Sequence, residues 1–257
     1  MGLEGLLLEP NRFTVSRHRL GSAGDSDPTP FRLAVLTDLH LGSVGRFEES
    51  VAEGVAALDP HAILIVGDAI DQGHALPILD SFLSLLPVAV PKYATLGNWE
   101  HWCGVNLRQL ASTYDKHAGR LLVNESVRIS HQGRSATLVG VDDLVGGKPD
   151  IERAFASDSF GEEVLLLSHC PAYRDVLAGD AARQVSAMIS GHTHGGQVAF
   201  GPWAPLRPRG SGRYVAGWYQ DDGPDLYVSR GVGTSIVPVR FGSVPEVVLI
   251  EWFLKSF

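Results

Sequence analysis

The sequence predicts a layered α/β fold, a single domain built on two packed sheets, and three observations carry that prediction. In the first half, apolar runs of strand length alternate with stretches of helical spacing. In the second half, short β-rich runs are separated by loops. The 29 glycines and 15 prolines are too many for a helical bundle and suit a fold with many turns.

Residues 1–30 are expected to lie peripheral to a domain spanning 31–257. Within them Thr14–Leu20 reads as an edge strand, and residues 21–30 (GSAGDSDPTP) have loop composition. Residues 33–36 form a short apolar run, 48–58 carry helical spacing, and Ala62–Val66 is a β-rich run. Residues 76–86 are amphipathic, 88–96 read as strand and 105–117 as helix. Beyond them, 127–130 and 136–141 flank His-Gln-Gly-Arg as a hairpin. Further strands are expected at Val164–Leu167, 187–189, 198–200, 226–228 and 244–252.

Composition excludes several classes. Lys and Arg number 21 against 29 Asp and Glu, a net charge of −8, which disfavours a sequence-independent grip on nucleic acid. Two cysteines, Cys103 and Cys170, cannot make a disulfide framework and are expected as free thiols. No apolar run approaches the ~18 residues of a membrane span. Residues 5–8 are apolar but lack a preceding basic stretch, so no signal peptide is expected there. A cytoplasmic protein is expected.

Five polar clusters each follow an apolar run. They are Asp38-Leu39-His40 after LAVLT, Gly67-Asp68 after AILIV, and Gly97-Asn98-Trp99-Glu100 after KYATL. Ser168-His169 follows VLLL, and Gly191-His192-Thr193-His194 follows SAMIS. Any one of them alone is an ordinary turn. Together, beyond the carboxyl ends of strands, they are placed where layered α/β folds gather their sites. Carboxylates, imidazoles and one amide, with no thiolate, suit Mn, Fe or Zn. The donors exceed what one ion needs, and two ions ~3.5–4 Å apart can clamp a phosphoryl group. His192 and His194 stand two apart, so the backbone can aim one at each ion.

TDLHLG, GDAID, GNWE, SH and GHTHGGQ, in that order over residues 34–197, resemble the calcineurin-like metallophosphoesterases. RYVAGWY and SRGVGTSIVPVRFGSVPEVVLI extend the likeness to the bacterial YkuE- and YaeI-type phosphodiesterase branch, related to UDP-2,3-diacylglucosamine hydrolases. The resemblance implies a four-layer α/β/β/α sandwich and two divalent metal ions, Mn foremost, with Fe or Zn as alternatives. It implies Asp38, His40, Asp68 and His194 on one ion, and Asp68, Asn98, His169 and His192 on the other, with Asp68 bridging. A hydroxide bridging the ions would be the nucleophile. Gly195-Gly196-Gln197 lets backbone pass close to the ions. Asp71 is a candidate for orienting a metal-bound His, with a helix N-cap as the alternative. Asp142-Asp143 follows a strand and is expected as a surface turn, with a reach into the site as the alternative.

One departure matters. Many members carry a general-acid His where this chain has Trp99. Indole cannot supply that proton; His101, two residues on, is the candidate substitute. Without one, stable anionic leaving groups are favoured, so phosphodiesters and pyrophosphates are expected over alkyl monoesters. Residues 201–219 mix Trp203, Leu206 and Trp218 with Arg207, Arg209 and Arg213. They are expected either to form a rim that admits an amphiphilic substrate, with Trp99, Trp203, Arg207 and Arg209 as contacts, or to fold onto the domain as a long loop with Trp203 and Trp218 in the core and the Arg side chains solvated. The expected partner is a small-molecule or lipid-linked phosphate with peripheral membrane contact, and no specific nucleic acid. The alternatives are a non-catalytic metal-binding scaffold, or a phosphomonoesterase or nuclease of the same fold.

Overall fold

The computed structural model describes residues 9–21, 29–156, 163–200, 203–205 and 207–254. In chain order the first half holds β1 (Thr14–Leu20), β2 (Phe31–Leu36), α1 (Arg46–Ala57), β3 (Ala62–Val66), α2 (Leu76–Leu85), β4 (Lys92–Thr95), α3 (Asn98–Trp102), α4 (Leu107–Asp115) and β5 (Gly119–Leu121). The second half holds β6 (Glu125–His131), β7 (Arg134–Gly140), α5 (Ile151–Phe155), β8 (Val164–Leu167), α6 (Tyr173–Val176), α7 (Gly179–Ala182), β9 (Val185–Ser190), β10 (Gly217–Tyr219), β11 (Asp225–Val228) and β12 (Glu246–Trp252).

The strands form two sheets, ordered β1-β12-β2-β3-β4-β5 and β10-β11-β9-β8-β7-β6. In the first, β2 to β5 run parallel; in the second, β7, β8, β9 and β11 do. Parallel central strands are buried on both faces, which is why they read as unbroken apolar runs. Alternation then sorts the side chains. Leu33, Val35, Leu64 and Val66 of the first sheet meet Leu138, Leu165, Leu167 and Ile189 of the second in a central core. Ala34, Leu36, Ile63 and Ile65 face outward, against Val51 and Val55 of α1, Leu79 and Phe82 of α2 and Leu110 of α4. Val139, Leu166 and Met188 pack against Ile151 and Phe155 of α5 on the opposite outer face. The result is the four-layer α/β/β/α sandwich.

The edge strand at Thr14–Leu20 pairs parallel with β12. The hairpin forms as expected, with Gln132 (φ 50°) and Gly133 (φ 78°) as its two-residue turn. Some boundaries differ. The strand read over 88–96 shrinks to Lys92–Thr95, because Pro87 and Pro91 supply no N–H and Val90 N donates back to Pro87 O (3.2 Å) in a turn. The helix read over 105–117 begins at Leu107, where Asn106 caps Arg108 N and Gln109 N. Residues 198–200 make isolated bridges, Val198 to Phe241 and Phe200 to Trp203, in place of a strand. Most of the loop at 21–30 lies outside the described residues. Among the described residues no helix is long and apolar enough to cross a membrane.

Candidate metal centre

The five polar clusters leave the carboxyl ends of β2, β3, β4, β8 and β9 and converge where the two sheets meet. Asp38, His40 and His194 offer ligand atoms within 4.8 Å of one another; Asp68, His169 and His192 form a second such group. Asp68 Oδ2 lies 3.0 Å from His169 Nε2 and 3.9 Å from His40 Nε2, so one carboxylate faces both groups. Asn98, at the start of α3, is buried, and its Oδ1 has no hydrogen-bond partner. A buried acceptor left without a donor costs about 1–3 kcal/mol and asks for an explanation. A cation supplies one.

Three of the four histidines have their outer ring nitrogen committed to a protein acceptor. His40 Nδ1 donates to Asp71 Oδ1, His169 Nδ1 to Val66 O (2.9 Å) and His192 Nε2 to Arg209 O (2.8 Å). These bonds fix the tautomers, leaving His40 Nε2, His169 Nε2 and His192 Nδ1 as lone-pair donors turned inward. His40 Nε2 stands 3.1 Å from His194 Nε2, and His192 Nδ1 stands 3.2 Å from His169 Nε2. Nitrogens that face one another so closely fit common cations. Asp71 therefore orients His40, and the helix-cap alternative does not apply.

Local backbone strain accompanies the ligands. Asp38 (φ 51°), His40 (46°), Asp68 (52°), His192 (71°) and His194 (51°) all sit in the left-handed region. Single residues there cost on the order of 1–3 kcal/mol and persist only where surrounding structure holds them. Two glycines make room: a Cβ on Gly97 would lie on Asp68 Oδ1, and one on Gly191 on Asp38 Oδ2.

Electrostatics divide the imidazoles. Burial opposes charge on His40 and His169, but Asp71, Asp68 and Asp38 around the first and Asp68 and Asp38 around the second raise both. Burial lowers His194, assisted by the cationic forms of His40 and Arg240, and lowers His192, assisted by His169. Asp68 is held down, against burial, by His169 and His40.

Sequence reading missed Glu100 as a brace. Its buried carboxylate accepts from Gly97 N (2.8 Å), Asp68 N (3.1 Å), Ala69 N (2.7 Å) and Ile70 N (3.3 Å), tying the Asp68 loop to the start of α3. Burial, then Asp68, push its carboxyl up to about 7. The Gly-x-x-Glu spacing of a capping box was the available signal. Arg240 was missed as well: buried, it donates to Arg230 O (2.8 Å) and Ser243 O (3.1 Å) and lies against His194, and no local pattern announces it.

Other expected residues are placed as follows. Trp99 donates its backbone N–H to Asp68 Oδ1 (2.9 Å), sets its ring edge-on to His40 (6.2 Å) and donates its indole N–H to Ser235 Oγ (3.2 Å). His101 pairs through Nε2 with Asp142 Oδ1 (2.7 Å), which raises it, one turn along α3 from Asn98. The surface turn expected at Asp142-Asp143 is corrected. Both are buried: Asp142 holds His101, and Asp143 accepts from Val145 N (2.8 Å), Gly146 N (2.6 Å) and Cys170 Sγ (3.1 Å). Cys103 and Cys170 are free thiols.

The segment 201–219 is divided. Gly201, Pro202 and Leu206 lie outside the described residues. Trp203 is 61% exposed against Phe200, and Arg207 and Arg209 are exposed. Arg213 is engaged with Asp221 and lies over the Tyr214 ring, so it leaves the rim. Trp218 also leaves it: half-buried, it packs on Tyr227 (5.2 Å) and His18 (6.0 Å) because β10 places it at the sandwich edge. A pocket of about 480 Å³ lies beside the His40 loop, bounded by Leu39, Leu41, Arg46, Phe47 and Thr234. The larger groove, about 890 Å³, runs along α4 and α5, and none of the seven candidate ligands lines it.

The profile of the family described as calcineurin-like phosphoesterase matches residues 31–196. Phosphodiesterase YaeI of Escherichia coli is 30% identical over 95% of this chain and 89% of its own. The uncharacterized metallophosphoesterase YkuE of Bacillus subtilis is 27% identical over 99% of this chain and 88% of its own. Among solved structures, a dimetal phosphatase from Danio rerio superposes with a TM-score of 0.50 at 13% identity, covering 88% of this chain and all of that one, a likeness of fold.

Proposed function

This chain belongs to the calcineurin-like phosphoesterases, and from that premise we propose that it hydrolyses the phosphodiester or pyrophosphate bond of an amphiphilic substrate at a two-metal centre. That it is a metal-dependent phosphoesterase follows from the family. The finer reading rests above all on the inward-turned donors of two groups meeting at Asp68, with Asn98 Oδ1 unpartnered beside them.

Asp38, His40, Asp68 and His194 would hold one ion; Asp68, Asn98, His169 and His192 the other. Mixed oxygen and imidazole donors suit Mn, with Fe and Zn as alternatives. When bound, two divalent ions supply an activated water and neutralise charge building on the phosphoryl oxygens. The protein's own groups do the rest. Asp71, Val66 O and Arg209 O keep the imidazoles aimed. Glu100 keeps the Asp68 loop seated against α3.

Proton delivery to the leaving group is assigned to His101, which Asp142 holds through Nε2 and whose protonated form that carboxylate favours. Arg209, whose carbonyl holds His192, and Arg207 are exposed and would supply guanidinium groups to phosphate oxygens. Trp99 lines the His40 side, and Trp203 offers an apolar surface to an acyl or aryl group.

Two measurements test the reading together. Elemental analysis after Mn reconstitution should approach two ions per chain, and the loaded protein should hydrolyse bis(p-nitrophenyl) phosphate. A reproducible single ion sinks the dinuclear assignment. Full metal loading with no turnover of aryl diesters or nucleotide-sugar pyrophosphates makes the chain a binding scaffold.

A further inference from the structure

Ten large apolar side chains are exposed among the described residues, and five of them, Trp102, Phe200, Trp203, Ile236 and Val237, belong to one chain of contacts bordering the metal centre. Trp102 packs on Trp99 (5.5 Å), and the Trp99 indole donates to Ser235 Oγ (3.2 Å). Gln197, three residues beyond His194, accepts from Ser235 N (3.1 Å) and donates to Ser235 O (3.2 Å) and Val237 O (2.9 Å). Phe241 N donates to Gln197 O (2.8 Å), and Phe200 packs between Phe241 (5.5 Å) and Trp203 (5.8 Å). The loop carrying Ile236 and Val237 is thus bolted to the ligand loop and to Trp99.

Ile236 is the odd residue. Its φ is 63°, a conformation that a β-branched side chain adopts only under strain. It is also 87% exposed, so no burial within this chain offsets that strain. An ordinary turn would place Gly or Asn there. Strain kept in order to project an aliphatic side chain into water has a use only when something apolar receives it. Arg207 and Arg209, exposed and close to Trp203 in sequence, have no carboxylate partner among the described residues, while the chain as a whole carries −8.

We propose that this rim docks the metal centre onto an anionic phospholipid bilayer, with Ile236 and Val237 entering the acyl region, Trp102 and Trp203 at headgroup level and Arg207 and Arg209 against lipid phosphates. Projecting aliphatic tips in one chain of contacts with exposed Trp, together with two exposed Arg that no carboxylate neutralises among the described residues, suit an interface between water and lipid better than the closed surface of a protein partner. The inference rests on the amphiphilic-substrate reading, because docking brings the centre to where such a substrate resides.

Sedimentation with vesicles of phosphatidylcholine and phosphatidylglycerol tests it without any substrate. The wild type should pellet with the vesicles, less so at high salt. Ile236→Gly should weaken partitioning about 10-fold, the loss expected for one buried aliphatic side chain. Glycine accepts the left-handed φ, so this variant should melt at or above the wild type, which separates docking from folding. Val237→Ser should act in the same direction, and both variants should turn over a water-soluble aryl diester like the wild type. A wild type that stays in the supernatant, or variants that pellet equally well, overturn the proposal. So does a wild-type dimer that Ile236→Gly dissolves, which assigns the rim to a second copy. Loss of diester turnover in the metal-loaded wild type would defeat the hydrolytic reading and leave the vesicle result standing separately.

Discussion

Two groups of histidines stand at opposite ends of the same strands. Beyond the carboxyl ends, His40, His169, His192 and His194 surround Asp38 and Asp68. At the opposite end, His61, just before β3, and His131, the last residue of antiparallel β6, stack face to face (4.1 Å, 28°), and Phe31 stacks on both. At the first end, carboxylates outweigh burial for His40 and His169 and make charge welcome. At the second, burial lowers both rings, assisted by Arg32, and His131 Nε2 is buried without a partner. The residue type is shared, and the neighbours decide its chemistry: a donor set at one end, a flat aromatic surface joining the two sheets at the other. A histidine counted in a sequence carries no function until its carboxylates are located.

The contrast can be broken most severely by removing the carboxylate that serves both ligand groups. Asp68→Ala should empty both metal sites and cut aryl diester hydrolysis by ~10³-fold or more, since the ions carry most of the transition-state charge. Loss of a single ion, with a modest fall in rate, would show that Asp68 does not bridge.

His101 sharpens the contrast, because it stands apart from both ligand groups and is raised chiefly by Asp142, against burial, with Asp143 and Glu100 assisting. His101→Gln should slow esters with poor leaving groups by ~10²-fold and leave p-nitrophenyl esters nearly unchanged. An equal loss on both substrates would assign His101 to positioning α3 and not to proton transfer.

The smallest effect belongs to the stack of His61 and His131. His61 and His131 have depressed folded-state values, so between those values and the unfolded ~6.5 the unfolded chain binds more protons. Stability should therefore fall as pH drops below ~6.5 and show no contribution from this pair above it. His131→Phe keeps the stacking and removes one titrating ring, so it should melt above the wild type near the acid end of that window and equal it at pH 8. Equal acid sensitivity in variant and wild type would place the acid response elsewhere.

Much of this architecture was legible because its signals are local. Each central strand reads as an apolar run, since a parallel strand is buried on both faces, and each run ends in the polar residues that the sheet then gathers. All seven candidate ligands stand in such short segments. The Asp142-Asp143 turn and Trp218 were misread because their surroundings come from distant chain, whereas Arg213 is taken up nearby by Asp221 and the Tyr214 ring. Asp142 meets His101 across 41 residues, and Trp218 packs on His18 from the opposite end of the sequence.

By itself, then, the sequence determined which strands exist, which residue types end them and which chemistry those types permit, because periodicity and turn composition act over a few neighbours. Only the tertiary structure decided which imidazole nitrogens face inward, that Glu100 braces the Asp68 loop, that Arg240 lies beneath His194, and that Ile236 is held in strain at the rim. Those outcomes depend on hydrogen bonds spanning 31 residues for Glu100 and 46 for Arg240, which exist only once two sheets have packed and excluded water from between them.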